Sequence, residues 1–435
     1  MKKVTLLALV VCILMIVGCT PQNADKKETK SIVLYTFNQN KERADVIQSI
    51  LDQFSTEHPE INVQMKEISG GDKEELKKLK ELHEGNDQVD LLWLPPSLGI
   101  SEAAISKYIQ PLDEYSDSLG LSNFYVSTDN LRYNGELYAI PFIYEHYLIY
   151  YNKDLFDKYQ LKYPSVEWSY DDFANFATKL TNVGNNVVGI ENGQLLYYAI
   201  GGAYGGGTFK EDNTQLTLGE DGALQGYELL TKLFKEKKID GRISETLSQG
   251  FAVEPNFRNG TAGMMINSSA LLTSNFEKVP HFGVVPFPKG PSNQQGVSSL
   301  ETLAISSKSN YKKESAEVLT YLSTATEARK SIVKSGVSLP TTSDEQVFDT
   351  FNNLFSDSSY AEVVRQVLNS NKDTLGIAPN TPGYSNVLIK LTGIFMDPMN
   401  GLYSGNLEVK GEFKQKMKQL NESWLLEQQT NWSKK

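Results

Sequence analysis

The four histidines of this sequence are the first residues to test for catalysis or metal binding, because imidazole serves both roles. His58, His83, His146 and His281 are widely separated, and none lies at the spacing of an H-E-x-x-H zinc motif. The sequence also lacks a G-x-S-x-G nucleophile motif and a G-x-x-x-x-G-K-[ST] phosphate loop. We therefore expect no metal, no cofactor and no nucleophilic catalysis.

Carboxylate pairs are the remaining candidates, because a glycosidase needs only two of them facing each other across a cleft. The adjacent pairs Asp113–Glu114 and Asp171–Asp172 fit helix starts, where acidic residues stabilise the first turn. Position singles out no catalytic couple among the 53 acidic residues. A secreted carbohydrate-active enzyme stays open as an alternative, but we expect a non-enzyme and assign no catalytic residue.

In the first hundred residues, short apolar runs predict strands, and the segments between them have apolar residues at the spacing of one helix face. Strands and helices are therefore predicted to alternate. The predicted bounds are 32–37, 46–54, 61–68, 76–82 and 89–94. This order predicts a mainly parallel sheet covered by helices, with ligands outside the carboxyl ends of the strands. Asn38, Gln39 and Ser97 follow two of these strands, so we predict that they line a binding site.

The middle of the chain is rich in aromatic residues and contains a long predicted strand at 138–152. Glu145 is a charged residue within this apolar run, which makes it a candidate for function rather than packing. A helix is predicted after Ser169, whose hydroxyl suits an N-cap. A further strand is predicted at 263–266.

The composition describes a folded, acidic protein. Its 435 residues suggest two domains or one large one, and 40% apolar with 22% charged residues is typical of a globular chain. The formal charge is −11, and without Lys2 and Lys3 it becomes −13, from 40 basic and 53 acidic residues. Such a surface repels phosphate backbones, so we expect no nucleic-acid partner.

The N-terminus has the pattern of an export signal. Lys2 and Lys3 precede an apolar segment at 4–17, which is shorter than the ~20 residues that span a membrane. The segment ends in Ile-Val-Gly-Cys at 16–19, which resembles the bacterial lipobox, where the cysteine is lipidated. We predict a signal peptide at 1–18; an ordinary cleaved signal peptide and an uncleaved anchor are the alternatives.

Cysteine usage agrees with this prediction. Cys12 lies in the apolar segment, so Cys19 would be the only cysteine of the exported protein, and no disulfide framework is possible. We predict a lipidated Cys19 with a flexible tether at 19–30, which places the protein on the outer face of a bacterial cell membrane. The membrane is then a partner through the lipid anchor.

Several short motifs occur in a fixed order along the chain. The strongest reads YNGELYAIP at 133–141, followed by YYNKDLF at 150–156. PLDEY precedes it at 111–115, while FRNGTAGMM at 257–265 and FGVVPFPKG at 282–290 follow. Together these motifs resemble the family 1 extracellular solute-binding proteins of carbohydrate-type ABC transporters, a family that includes maltose-binding protein.

The resemblance implies an α/β, two-lobed periplasmic-binding-protein-like fold of type II, with a ligand cleft between lobes joined by hinge crossings. It implies an N-lobe at 31–143 and 296–342, and a C-lobe at 144–295 and 343–435. The expected function is a monomeric, lipid-anchored receptor that captures a mono- or oligosaccharide and delivers it to an ABC permease. A peptide, a polyamine or a metal chelate is the alternative solute for the same fold.

A sugar site needs polar side chains for hydroxyls and aromatic rings for stacking. By the resemblance, Glu145 lies where maltose-binding proteins carry a ligand-contacting glutamate, with Tyr144 beside it; a solvated acid at a strand edge is the alternative. The family often has a tryptophan soon after position 268, and its absence here argues against maltodextrin. The other candidate binding residues are Tyr197, Tyr198, Asn267, Ser268 and Tyr384.

Overall fold

The computed structural model describes residues 29–37, 41–68, 75–182, 185–209, 215–240, 255–272, 281–355, 357–369 and 381–432. The predictions for Cys19, Asn38 and Gln39 lie outside the described residues, as do the predicted signal peptide and most of the tether. None of the helices in the described ranges is both long enough and apolar enough to cross a membrane.

Within the described part of the chain, eight strands form one mixed sheet, and β4 and β5 form a separate hairpin. The strands are β1 (Lys30–Phe37), β2 (Ile61–Ile68), β3 (Leu91–Leu94), β4 (Arg132–Tyr133), β5 (Glu136–Leu137), β6 (Ile140–Asn152), β7 (Val188–Glu191), β8 (Ala262–Ser268), β9 (Phe282–Val285) and β10 (Ser298–Ile305). Each of the predicted strands is confirmed within two residues at its ends.

Fifteen α-helices lie within the described ranges. They are α1 (Lys41–Glu57), α2 (Glu75–Glu84), α3 (Ile100–Ile105), α4 (Ser116–Leu119), α5 (Lys153–Lys158), α6 (Tyr170–Leu180), α7 (Leu196–Ala203), α8 (Asp221–Lys235), α9 (Pro255–Arg258), α10 (Lys312–Thr324), α11 (Thr326–Lys334), α12 (Glu345–Asn352), α13 (Ser359–Asn369), α14 (Tyr384–Met396) and α15 (Lys414–Glu427). Ser169 caps α6 as predicted, in a reciprocal capping box with Asp172.

The strand order is β2-β1-β3-β10-β6-β8-β7, and β9 also pairs with β6. The predicted parallel arrangement is confirmed for β1 with β2 and β3. It is wrong for the centre of the sheet, where β10 and β6 make antiparallel pairs. The reason is that β10 follows β9, which pairs with the second half of β6, and then runs alongside β3 in the opposite direction.

Strand β6 is shared by the two halves of the sheet. Its first half pairs with β10, from Ile140 to His146, and its second half pairs with β8 and β9, from Tyr147 to Asn152. The change of partner falls between His146 and Tyr147, one residue beyond Glu145. The predicted functional carboxylate therefore lies where the chain passes from one half of the molecule to the other.

Two hydrophobic clusters form the core. The first contains the buried residues of β1, β2, β3 and β10 with those of α1, α3 and α10–α13. The second contains the buried residues of α6, α7 and α8 with those of α14 and α15. Among the described residues, β6, β7, β8 and β9 contribute buried side chains to both clusters, so the clusters do not coincide with the two halves of the sheet. The lobe boundaries given by the resemblance stay a prediction.

Candidate functional site

Glu145 is the centre of a polar cluster at the β6 crossing. Its side chain is 20% exposed, and its Oε2 accepts a hydrogen bond of 2.6 Å from Ser268 Oγ at the end of β8. The alternation of β6 directs Tyr144 and His146 to the other face of the sheet, where both are buried. Two predicted site residues, Glu145 and Ser268, are thus brought into direct contact.

Arg43 adds a positive charge to this cluster from the first turn of α1. Its Nη2 donates a hydrogen bond of 2.7 Å to Glu301 Oε1, and its Nη1 lies 3.9 Å from Glu145 Oε1. The guanidinium therefore bridges a carboxylate of β10 and a carboxylate of β6. Because Arg43 is only 20% exposed, the surrounding low dielectric strengthens both interactions.

Glu301 is the buried member of the cluster. Trp93 Nε1 donates a 2.5 Å hydrogen bond to its Oε2, and the Arg43 guanidinium lies 5.9 Å from the centre of the Trp93 ring. Burial raises the pKa of Glu301, and the nearby Glu145 charge adds to this, although Arg43 and Trp93 oppose it. Trp93 itself is fully buried, so it positions Glu301.

Tyr147 lies on the same side of β6 as Glu145, two residues further along. Burial, and to a smaller extent the Glu145 carboxylate, raises the pKa of Tyr147 to about 12. The phenol therefore stays protonated at neutral pH and can donate a hydrogen bond. Carboxylate, guanidinium, hydroxyl and phenol together offer hydrogen-bond donors and acceptors to a polar, uncharged molecule.

Two other chain segments contact β6 at the crossing. Leu339 N donates to Tyr144 O at 2.8 Å, and Tyr144 N donates to Ser338 Oγ at 2.9 Å. On the other side, Tyr147 N donates to Val297 O at 2.8 Å. Three stretches of chain therefore run side by side within a few residues of Glu145.

Two further predicted residues lie close to polar groups. Asn267 precedes Ser268, and its Oδ1 accepts a hydrogen bond of 2.8 Å from Ser268 N. Ser97 Oγ donates a hydrogen bond of 2.6 Å to the buried carboxylate of Glu75. Ser97 and Asn267 are both half-buried, and each stays a proposed binding residue.

The structure corrects the expected role of three tyrosines. Tyr144 is fully buried and its hydroxyl lies 3.3 Å from His146 Nδ1. Tyr197 is also fully buried and stacks on Tyr227, and Tyr384 is 2% exposed. None of these three rings has a face open to a solute, because each fills the apolar interior.

Tyr198 differs from these three because it is half-buried. Its ring packs edge-on against Phe395 at 5.1 Å, and its hydroxyl contacts Thr392 Oγ1 at 3.1 Å. Burial raises its pKa to about 12, so the phenol is neutral. Its role at a binding site stays a prediction.

The sequence reasoning did not find Arg43 and Glu301. Glu301 had a usable signal, since it is a carboxylate within the otherwise apolar run of β10, as Glu145 is within β6. Arg43 had no such signal in the sequence, because an arginine in the first turn of an amphipathic helix has the same sequence pattern whether it is solvated or paired. No group of three or more potential metal ligands occurs among the residues that the structure describes.

Residues 40–329 match the family model described as bacterial extracellular solute-binding protein. This chain belongs to that family. A multiple sugar-binding protein of Streptococcus mutans is 24% identical over 350 residues, which are 76% of this chain and 80% of that protein. A protein of Brucella abortus, described as a binding protein, is 29% identical over 229 residues, 49% of this chain; the match spans 53% of the length of that relative.

Solved structures of the family establish the fold. An ABC substrate-binding protein from Listeria monocytogenes in complex with cycloalternan has a TM-score of 0.75 and 19% identity, over 90% of this chain and 98% of that one. The chain therefore has the two-lobed α/β fold of type II periplasmic-binding proteins, as the resemblance implied.

Proposed function

We propose that the protein is a receptor for a mono- or oligosaccharide, which it delivers to an ABC importer. The observation that supports this most is the cluster of Glu145, Ser268 and Arg43 at the crossing between the lobes. Carboxylates and guanidinium groups make charge-assisted hydrogen bonds with hydroxyl groups, which are the recognisable feature of a sugar. The half-buried ring of Tyr147 supplies an apolar surface beside them.

The relatives support the same ligand class. The Streptococcus mutans relative is named for binding multiple sugars, and the Listeria monocytogenes relative holds cycloalternan. Asn267, Ser97 and Tyr198 are proposed as additional contacts, and so are Asn38 and Gln39, which follow β1 in sequence. We propose no catalytic residue and no cofactor for this receptor.

The proposed mechanism is hinge closure. The N-lobe (31–143 and 296–342) and the C-lobe (144–295 and 343–435) would rotate about the three stretches of chain that meet beside Tyr144 and Tyr147. A solute drives closure only through its higher affinity for the closed form. The closed form then presents a surface that a permease can distinguish from the empty receptor.

The proposed location is the outer face of the bacterial cell membrane, with Cys19 as the lipid attachment point and residues 20–30 as a tether. A single acyl chain binds a membrane only marginally, so the anchor needs more than one. The receptor would act as a monomer, since one chain supplies both lobes of the cleft.

A thermal-shift screen of the purified receptor tests the proposed ligand. A panel of neutral sugars is compared with amino acids, peptides, polyamines and metal chelates, because a ligand that binds only the native state raises the melting temperature. We expect stabilisation by one or more sugars, one-to-one binding in calorimetry and recovery of the unaltered sugar. Stabilisation by a polyamine or peptide alone contradicts the sugar assignment, and recovery of a cleaved sugar supports the enzyme alternative.

A further inference from the structure

Glu102 of α3 makes a buried contact with a distant part of the chain. Its Oε1 accepts a hydrogen bond from Gly383 N, and Ser385 Oγ lies 3.1 Å and 3.0 Å from its two carboxylate oxygens. Gly383 is the N-cap of α14 and Ser385 is in its first turn, so a carboxylate lies at the positive end of that helix dipole. The contact joins residues about 280 positions apart.

The two ends of this contact belong to different hydrophobic clusters. On α3, Ile100, Ala103 and Ala104 are in the first cluster. On α14, Val387 and Leu391 are in the second. By the proposed lobe bounds, α3 belongs to the N-lobe and α14 to the C-lobe, so Glu102 joins the two lobes at a place that is distinct from the β6 crossing.

The Gly383 turn is held by its own contacts to the end of α15 and the residue that follows it. Pro382 O accepts a 2.6 Å hydrogen bond from Gln428 Nε2, and Asn386 Nδ2 donates to Glu427 Oε1 at 2.9 Å. Gly383 has a backbone φ of +88°, which residues other than glycine rarely adopt. The turn is thus fixed to α15, and the two would move together in the proposed rotation of the lobes.

Glu102 has no surface left for a solute, because it is 1% exposed. Its carboxylate also accepts from the backbone N–H of Gly99, the N-cap of α3, so it caps its own helix as well. The cap of α3 needs only the hydrogen bond from Gly99 N, so the hydrogen bonds from Gly383 and Ser385 are additional to it. They come from the opposite lobe and are available only when the lobes are together.

We propose that Glu102 is a positioning residue for solute binding: it clasps α3 to the N-terminus of α14 and holds the lobes together before a solute arrives. The clasp rests on the proposed function, because holding the lobes together matters only to a receptor that closes. A population already closed lowers the conformational cost of binding, so the clasp increases the apparent affinity for the solute.

Hydrogen exchange at the Gly383 amide tests the clasp without any solute. We expect protection in the full-length wild-type protein, exchange about tenfold faster in Glu102→Ala, and retained protection in Glu102→Gln, whose amide oxygen still accepts the bond. Ser385→Ala leaves the cap of α3 untouched, so it separates the clasp from local folding and is expected to speed exchange by a smaller factor. An unprotected Gly383 amide in the wild-type protein overturns the proposal.

Small-angle X-ray scattering of the same solute-free proteins tests the effect on the lobes. We expect a larger radius of gyration for Glu102→Ala and Ser385→Ala, and the wild-type value for Glu102→Gln. Equal radii for wild type and Ser385→Ala overturn the proposal, and this holds even where Glu102→Ala fails to fold. Neither measurement uses a sugar, so failure of the clasp is distinguishable from failure of the proposed ligand class.

Discussion

Ser268 Oγ donates a hydrogen bond of 2.6 Å to Glu145 Oε2, which ties the end of β8 to β6, the strand shared by the two halves of the sheet. The second oxygen of the same carboxylate faces Arg43 of α1. The Glu145 carboxylate is therefore close to groups on both sides of the point where β6 changes partners, Arg43 of α1 and Ser268 of β8.

Glu145→Gln tests the carboxylate in binding. The amide keeps the side-chain shape but loses charge-assisted hydrogen bonds of about 1.5–3 kcal/mol each, so we expect sugar affinity to fall roughly tenfold or more. Calorimetry measures the affinity. Glu57→Gln is the matched control, since it makes the same change at an exposed residue that ends α1, whereas Arg43 in the first turn of that helix faces Glu145. Equal affinity for all three proteins removes Glu145 from the site.

Arg43→Ala tests the ion pair with Glu301. It leaves a buried carboxylate without its 2.7 Å partner, at a cost of about 2–3 kcal/mol, below the usual range for a buried pair because Arg43 is partly exposed. We expect the melting temperature to fall by a few degrees. Arg43→Met with Glu301→Gln is expected to recover most of the loss, because the buried side chain at 301 is then neutral and the Glu145 carboxylate that loses Arg43 is partly exposed and keeps its bond from Ser268.

The same variant has a predictable pH dependence. Burial already raises the pKa of Glu301, and loss of Arg43 removes the main opposing influence. A raised folded-state pKa means that stability is present below the unfolded pKa and is lost as pH rises through the folded pKa. The deficit of Arg43→Ala against wild type should therefore shrink as pH falls from 8 to 5. A deficit that is constant across this range contradicts the assignment.

The fold was largely predictable because apolar periodicity decides which residues form strands and helices. The bounds of β2 and the cap of α6 were recovered from the sequence. The antiparallel centre of the sheet was not, because strand direction depends on a return of the chain from residue 298 that no local pattern records. The buried tyrosines were misjudged for a related reason: a ring at a candidate position has the same sequence signal in a core as in a cleft.

Two glycines give opposite predictions for stability. A Cβ at Gly189 of β7 would lie 2.2 Å from Ala177 O of α6, and backbone cannot give way cheaply, so Gly189→Ala should cost about 1–3 kcal/mol. A Cβ at Gly393 of α14 meets nothing within 4 Å, so Gly393→Ala should gain about 0.5–1 kcal/mol from helix propensity. Chemical denaturation measures both. A stabilising Gly189→Ala would mean that α6 and β7 are further apart.

Cys19→Ser tests the proposed anchor. Without a thiol there is no site for the lipid, and we expect the protein to leave the membrane fraction and accumulate in the medium or periplasm. Fractionation followed by immunoblotting measures this, with Cys12→Ser as the control because that residue lies within the predicted signal peptide. Membrane association that is the same in all three proteins contradicts a lipid anchor at Cys19.

The shared strand β6 also restricts how the receptor can be re-engineered as a biosensor. Cutting or inserting at the crossing would leave two half-sheets, each with an unpaired edge that invites aggregation. A fluorescent reporter is better placed at Glu136, an exposed residue of the hairpin formed by β4 and β5, than at Gly135, whose φ of +87° is one that a side chain rarely adopts. That hairpin directly precedes β6 in sequence, so the reporter would be joined to the strand that both halves of the sheet share.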